Sequence, residues 1–320
     1  MIIMPFIFLS AGVSVFILGM LMIKHTLRRS FSDRIKTFLV RFTKNRLSAC
    51  ITGAAVTFCL QSSSASSVLT AAFADSGVLT LYQAFFIIVG ANLGTTFTGL
   101  FTAFPFFKAL PVFTVIGIIL LMLPERLKMT DAGIAVSGFG LMFTGMHIMG
   151  EASGEISSFT FVSDILAVSD SPLTGVLTGA FFTAVIQSSS AVTALLQVLS
   201  SRGIIGIRQV YYILLGSNIG TCATCAAASI GLRDSAKKVS LMHIFYNFAG
   251  AVIFVIIAEI IPVPELIQSV SPENISMQTA VLNIFFNLAS AVLALFLPVK
   301  PLFNAKKRNK LSLKPVLSEK

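Results

Sequence analysis

The sequence predicts an all-α membrane protein with about seven transmembrane helices and two re-entrant helical hairpins in inverted repeats. The first observation is composition: 55% of residues are hydrophobic and only 11% are charged, which is too apolar for a soluble domain. The second is that apolar stretches of membrane-spanning length recur along the chain. The third is that one part of the chain repeats another at a fixed offset.

Seven apolar segments are roughly long enough to cross the ~30 Å hydrocarbon layer as helices. The first lacks a basic leading region and a small-residue cleavage site, so we predict a span and not a cleaved signal peptide. The segments are 1–23, 84–104, 109–123, 132–150, 206–230, 240–262 and 279–299.

The net charge of +10 indicates membrane topology and not nucleic-acid binding, because the basic residues lie in short segments between or after apolar runs. These segments are 24–48, 233–238 and the tail from 300, and the positive-inside rule predicts that all three face the cytoplasm. Segment 24–48 also interleaves phenylalanines with its basic residues, which predicts an amphipathic helix on anionic membrane lipids. We therefore expect a multi-pass protein of the plasma membrane, with its amino terminus outside and its carboxyl terminus in the cytoplasm.

Two units of the chain align without a gap at an offset of 126 residues. The motif QSSSA occurs at 61–65 and at 187–191, and a Gly-x-Asn-x-Gly-Thr motif occurs at 90–95 and at 216–221. Duplication inside an apolar chain is typical of secondary transporters, whose binding sites lie at the interface between repeats near mid-membrane.

Each QSSSA motif is flanked by apolar arms of about ten to twelve residues, which as helices reach about half the bilayer. Two such arms predict a re-entrant hairpin with its polar tip near the membrane centre. With both units threaded as hairpins, the first enters from the cytoplasm and the second from outside. The acidic, base-free segment 151–170 then falls outside, in agreement with the charges.

The predicted organisation has six parts. They are 1–48 with the first span and basic cytoplasmic segment, 49–131 with repeat 1 (hairpin and following spans), 132–171 with a span and acidic external loop, 172–262 with repeat 2 (hairpin and following spans), 263–299 with the last span and an external loop, and 300–320 with a basic cytoplasmic tail.

The serine triplets predict an anion site, because serine caps helix starts and free N–H groups there bind oxyanions without arginine. The substrate-binding candidates are Gln61, Ser62, Ser63, Ser64, Asn92, Gln187, Ser188, Ser189, Ser190 and Asn218. For Asn92 and Asn218 an interhelical hydrogen bond is the alternative.

Neither motif contains a charged residue, so a co-bound cation is needed to neutralise a multiply charged anion. We expect Na⁺, held by hydroxyl and amide oxygens and by carbonyls freed where the glycines of both motifs interrupt their helices. The sodium-binding candidates are Gln61, Ser64, Thr95, Gln187, Ser190 and Thr221.

These paired motifs resemble the sodium-dependent phosphate cotransporter family (type II sodium/phosphate cotransporters), in a bacterial short form. The resemblance covers both units and the order of apolar segments around them. It implies sodium-coupled symport of inorganic phosphate by alternating access, with Na⁺ as the coupling ion, and it suggests a homodimer. The chain departs from some animal members, which use an aspartate in one sodium site, because no acid lies in the corresponding motifs here.

The alternatives are a sodium-coupled carrier or exporter of another oxyanion, or an anion channel. No enzymatic activity is expected, because no histidine, lysine or carboxylate accompanies either triplet in sequence. We expect no cofactor besides Na⁺ and no transition-metal site; the Cys222 and Cys225 pair is interpreted as small packing residues. His243, Asn247, Asn283 and Asn287 are interpreted as residues that pack or join helices.

Overall fold

The structure, a computed structural model, describes residues 3–104, 110–159 and 171–298. These residues form α-helices joined by short turns, as the composition predicts, and no strand occurs in them. The helices are α1 Ile3–Arg41, α2 Arg46–Leu60, α3 Ser63–Asp75, α4 Leu81–Ala103, α5 Leu110–Met122, α6 Thr130–Ile156, α7 Pro172–Ile186, α8 Ser189–Ser201, α9 Ile207–Ser229, α10 Asp234–Ile260, α11 Val263–Val270 and α12 Ile275–Phe296.

Six of these helices are long and apolar enough to span a membrane: α1 over Ile3–Arg29, and α4, α6, α9, α10 and α12 in full. They match six of the seven predicted spans. The remaining one, 109–123, corresponds to α5, of which 13 residues are described. The basic segment does not form a separate surface helix at its start, because α1 continues unbroken from the span to Arg41.

The duplication in the sequence is also a duplication of helices. Helices α2, α3 and α4, the first unit, have 15, 13 and 23 residues, and α7, α8 and α9, the second unit, have the same lengths. Each helix of the second unit begins 126 residues after its counterpart. The two arms are therefore about 22 and 20 Å long, somewhat longer than the predicted ten to twelve residues.

The expectation that the motif glycines interrupt their helices is wrong, because α4 and α9 are continuous through them. The glycines instead allow two helices to touch. A Cβ atom at Gly90 would overlap the carbonyl oxygen of Cys50 on α2, and one at Gly216 would overlap that of Val176 on α7. Small residues at such positions bring helix backbones together, which is how helices associate in lipid.

Helix α12 runs antiparallel to both α4 and α10. At one end of α12, Asn274 Nδ2 donates to the carbonyl of Ala103 at the end of α4. At the other end, Arg46 at the start of α2 donates to the carbonyl of Leu295 and to the hydroxyl of Tyr82 near the start of α4. These bonds hold the start of α4 against the end of α12.

The contacts of α10 give the direction of α9 relative to α4. Phe254 of α10 packs on Phe286 of α12, with ring centroids 5.1 Å apart, and earlier residues of α10 lie by later residues of α12. Tyr211 near the start of α9 donates to the carbonyl of Phe254, and a short turn joins the end of α9 to the start of α10. Helix α9 is thus antiparallel to α10 and to α4, so the two units run in opposite directions.

The second arm of each unit packs against the long helix of the other unit. Arm α3 contacts α9 and α10, whereas arm α8 contacts α4 and α12. Helices α1 and α5 flank this arrangement by packing along α6. The second arms therefore pack among helices of both units.

Candidate functional site

The tip of each unit, which is the turn between its two arms at 61–64 and 187–190, has the same backbone conformation. Gln61 and Gln187 end the first arms in the left-handed region, with φ of 48° and 56°, which is uncommon for a residue with a side chain. Ser62 and Ser188 cap the second arms, since the hydroxyl of Ser62 accepts the N–H of Ala65 at 3.2 Å and that of Ser188 accepts the equivalent N–H at 3.3 Å. The predicted capping role of the serine motifs is confirmed for the first serine of each triplet.

The second and third serines begin the helices and leave their donors free. In the described parts of the chain, the N–H groups and hydroxyls of Ser63, Ser64, Ser189 and Ser190 form no hydrogen bond. Ser63 and Ser190 are buried, at 4% and 7% exposure. Free N–H groups at a buried helix start, aided by the helix dipole, are suited to an anion.

The first tip lies beyond the middle of α4. Thr98 donates to Gln61 Oε1 at 2.7 Å, and Thr98 is six residues past Asn92, the midpoint of α4, or about 9 Å. The Gln61 amide nitrogen donates to the carbonyl of Phe58 at 2.8 Å, which fixes the amide orientation. Gln187, by contrast, is exposed.

A cavity of about 220 Å³ lies beside the first tip, between α1, α4 and α6. Its walls are mainly apolar, and Gln61 and Thr98 are its polar side chains. The cavity lining residues are Met20, Ile23, Leu27, Phe58, Gln61, Thr98, Phe101, Phe139 and Met142. The cavity therefore gives space next to the tip, whereas its polar groups are too few to hold an oxyanion by themselves.

The two motif asparagines differ in their contacts. Asn92 is buried and donates to Oδ1 of Asn247 on α10, whose Nδ2 donates to Sγ of Cys222 on α9 at 3.1 Å. Among the described residues, Asn218, the counterpart of Asn92, donates to the carbonyl of Leu214 in its own helix at 2.9 Å and to no other group. In this conformation Asn92 joins the two units, and its substrate role stays a prediction.

The motif threonines bond to their own helices. Thr95 donates to the carbonyl of Ala91 at 3.1 Å, and Thr221 donates to that of Ser217 at 2.9 Å. Each hydroxyl keeps lone pairs that could bind a cation. Their sodium role remains a prediction, as do those of the glutamines and serines.

The tips carry no side-chain charge. The ion pairs in the described residues, such as Arg202 with Glu151 at 2.7 Å, involve exposed groups outside the tips. The same part of the chain contains no group of three or more His, Cys, Asp or Glu that could hold a metal ion. The donors at the tips are therefore neutral, and the two tips share no hydrogen bond in the described conformation.

The contact of Thr98 with the first tip was not expected from the sequence, and neither were the two partners of Asn247. Thr98 lies three residues after the Gly-x-Asn-x-Gly-Thr motif of the first unit. Because residues three apart lie on the same face of a helix, helix periodicity could have predicted Thr98 as a candidate. Asn247 was interpreted as a helix-joining residue, which its two hydrogen bonds bear out. Its partners lie on α4 and α9, 155 and 25 residues away, and no sequence pattern names them.

Comparison with known families and proteins gives a consistent result. The chain matches the profile of a family described as "Na+/Pi-cotransporter" over residues 15–151 and 158–270. Each matched segment contains one of the two units. No solved structure matches the chain significantly.

Curated relatives include bacterial and animal proteins. The chain is 31% identical to "Uncharacterized protein YqeW" of Bacillus subtilis over 90% of this chain and 92% of that protein. It is 25% identical to "Putative inorganic phosphate export protein YjbB" of Escherichia coli (strain K12) over 88% of this chain and 50% of that protein. It is 38% identical to human "Sodium-dependent phosphate transport protein 2C" over 28% of this chain and 16% of that protein.

Proposed function

We propose that this chain, which belongs to the Na+/Pi-cotransporter family, is a secondary active transporter. It moves inorganic phosphate together with Na⁺ across the membrane. Alternating access between two conformations carries both solutes through a site formed by the two hairpin tips. The protein has no catalytic role in this proposal.

The observation that carries the proposal is the pair of free, buried helix starts in units of opposite direction. Ser63 and Ser64 offer N–H groups and hydroxyls from one unit, and Ser189 and Ser190 offer the same from the other. Phosphate has enough acceptor oxygens to use donors from both. Because the donors are preorganised by the caps of Ser62 and Ser188, little ordering is needed when the anion binds.

We expect Na⁺ as the coupling ion because the tips have no side-chain charge that could neutralise the anion. An anion bound by neutral donors in a low-dielectric interior is unfavourable unless a cation accompanies it. The side-chain oxygens near the tips belong to neutral hydroxyl and amide groups, which suit a hard monovalent cation. The candidates are Gln61, Ser64 and Thr95 in the first unit, with Gln187, Ser190 and Thr221 in the second. Joint occupancy couples the two fluxes.

The proposed topology follows from the charges and the helix directions. The first hairpin enters from the cytoplasm and the second from outside, with the amino terminus outside and the carboxyl terminus in the cytoplasm. The opposite directions of α4 and α9 support this inversion. A homodimer in a bacterial plasma membrane is part of the same proposal. In this proposal the net direction follows the gradients of the two coupled solutes. One related protein is named for phosphate export and another for sodium-dependent phosphate transport.

Radiolabelled phosphate uptake by the purified protein in proteoliposomes tests this function. An inward Na⁺ gradient is expected to drive saturable uptake, and equal replacement by choline is expected to abolish it. Uptake that does not change with the gradient of Na⁺ would contradict sodium coupling. If unlabelled sulfate or a carboxylate competes better than phosphate, the substrate is another oxyanion, and single-channel currents would identify a pore instead.

A further inference from the structure

A second internal similarity links α10 with α12. The segment HIFYNFAGAV at 243–252 and the segment NIFFNLASAV at 283–292 are identical at six of ten positions, at an offset of 40 residues. Helix α12 lies beyond residue 270, where the match to the family profile ends. The similarity therefore concerns a helix that the duplicated units do not contain.

The packing of these two helices supports the relationship. Helix α10 contacts α3 and α9, and helix α12 contacts α8 and α4, which are the counterparts of α3 and α9 in the other unit. Asn247 on α10 and Asn287 on α12 are both buried, at 1% exposure. Helices α10 and α12 thus occupy equivalent places beside the two units.

The two asparagines are used differently. Both polar atoms of the Asn247 amide are engaged, with Asn92 and with Cys222. The Asn287 nitrogen donates to the carbonyl and to Oδ1 of Asn283, at 2.9 and 2.8 Å, which fixes the orientation of the Asn287 amide. Its oxygen Oδ1 is buried and has no hydrogen-bond partner in the described residues.

A second free oxygen lies one turn further along α12. Ser290 is 5% exposed, and its hydroxyl is also buried without a partner among the residues that the structure describes. Positions three apart lie on the same face of a helix, so Asn287 Oδ1 and Ser290 Oγ share a face. Helix α10 has Gly250 at the equivalent position, so it cannot supply this second oxygen. The free pair exists on α12 and not on its counterpart.

A buried oxygen without a partner costs about 1–3 kcal/mol, and native structures almost always satisfy such atoms with a protein group, water or an ion. Two neutral oxygens without donors attract a hard cation. We propose that Asn287 Oδ1 and Ser290 Oγ are ligands of a Na⁺ site on α12, outside the two serine motifs. The proposal rests on the proposed sodium coupling and adds a second place for the coupling ion.

Direct sodium binding tests this site independently of transport. The melting temperature of the purified protein is measured with increasing NaCl, with choline chloride holding ionic strength constant. Sodium is expected to raise the melting temperature of the unmodified protein. In Asn287→Ala and Ser290→Ala the Na⁺ concentration for half of the rise is expected to increase about tenfold, or about 1.4 kcal/mol of binding free energy.

Two further variants separate ligation from structure. Asn287→Asp keeps an oxygen and loses the donor to Asn283, so it is expected to retain Na⁺ binding, whereas a purely structural asparagine would lose it as Asn287→Ala does. Leu288→Ala, at an exposed apolar position on the same helix, is the matched control and is expected to leave the sodium response unchanged.

Failure of the site on α12 can be distinguished from failure of the proposed sodium-coupled transport. If uptake is sodium-driven and both alanine variants respond to Na⁺ within twofold of the unmodified protein, the site on α12 is wrong and water satisfies these oxygens. If uptake is sodium-independent, the thermal measurement still decides: a sodium response that is lost in Asn287→Ala supports the site, and no sodium response overturns it.

Discussion

At the scale of single residues, the two tips show how a short motif leaves hydrogen-bond donors free at the start of a helix. One serine in each triplet is used as a cap, and the two that follow keep their N–H groups free. The left-handed glutamine before them turns the chain within two residues. A tip of this kind places donors deep in the fold without a charged side chain, which would be costly in a membrane.

These local features could be predicted from the sequence because capping depends on neighbouring residues. Ser62 and Ser188 were predicted as part of the capping triplets from residue type and position alone. The link from Asn92 to Asn247 could not be predicted, because it depends on how α10 packs against α4. The substrate and sodium roles of the serines stay predictions that only binding and transport measurements test.

The bond between Asn92 and Asn247 is expected to stabilise the protein. Asn92→Ala leaves Asn247 Oδ1 buried without its donor, so the variant is expected to lose about 1–3 kcal/mol of stability. Thermal or denaturant unfolding of Asn92→Ala, Asn247→Ala and the double variant gives the coupling energy of the pair. Asn218→Ala is the control with a smaller expected loss, since its amide bonds only within its own helix. Fully additive effects at positions 92 and 247 would contradict the link.

At the scale of helices, the prediction that the motif glycines interrupt α4 and α9 is wrong. A glycine in a motif with asparagine predicts a break when only local propensity is considered. In the structure, Gly53 and Gly90 bring α2 and α4 together, and Gly179 and Gly216 do the same for α7 and α9. Packing between helices decides their role, and local propensity does not register it.

Adding a methyl group at these contacts is expected to force the helices apart. Gly90→Ala and Gly216→Ala are each expected to destabilise the protein by about 1–3 kcal/mol, the usual range for an overpacked contact. Thermal unfolding in detergent measures the change. Gly154→Ala is the matched control, because its added methyl would meet no atom within 4 Å, and it is expected to keep or raise stability. Equal melting temperatures for all three variants would contradict close packing by glycine.

The similarity between α10 and α12 is shorter than the one between the two units. It covers ten residues with several conservative changes, and it falls outside the offset of 126 that defines the units. Comparison of the chain with itself at all offsets would have found it. Its interpretation still needed the exchanged packing of the two helices.

At the scale of the whole molecule, the opposite directions of α4 and α9 are central. The charges along the chain predicted the inversion, and the antiparallel contacts of α12 and α10 agree with it. Composition and hydropathy were sufficient to predict the class of protein, because six helices of spanning length follow from apolar run length alone. The position of α5 next to α6 could not be derived from hydropathy.

Cysteine labelling tests the inversion directly. With the four native cysteines replaced by serine, Ser201→Cys beside the second unit's turn is expected to react with an impermeant maleimide from outside intact cells. Ser76→Cys beside the first unit's turn is expected to react only after the membrane is opened. Both positions are exposed in the fold. Labelling of both from the same side would contradict opposite orientation.

The central claim is that both tips hold the same phosphate ion, and phosphate affinity tests it most directly. Equilibrium binding of radiolabelled phosphate, in saturating Na⁺, is measured for the unmodified protein, Ser63→Ala, Ser189→Ala and the double variant, with Ser76→Ala as a control at an exposed serine. A lost hydrogen bond to an anion is worth about 1.5–3 kcal/mol, so each single variant is expected to bind about ten- to hundredfold more weakly. An affinity within twofold of the unmodified protein for either single variant would contradict the account.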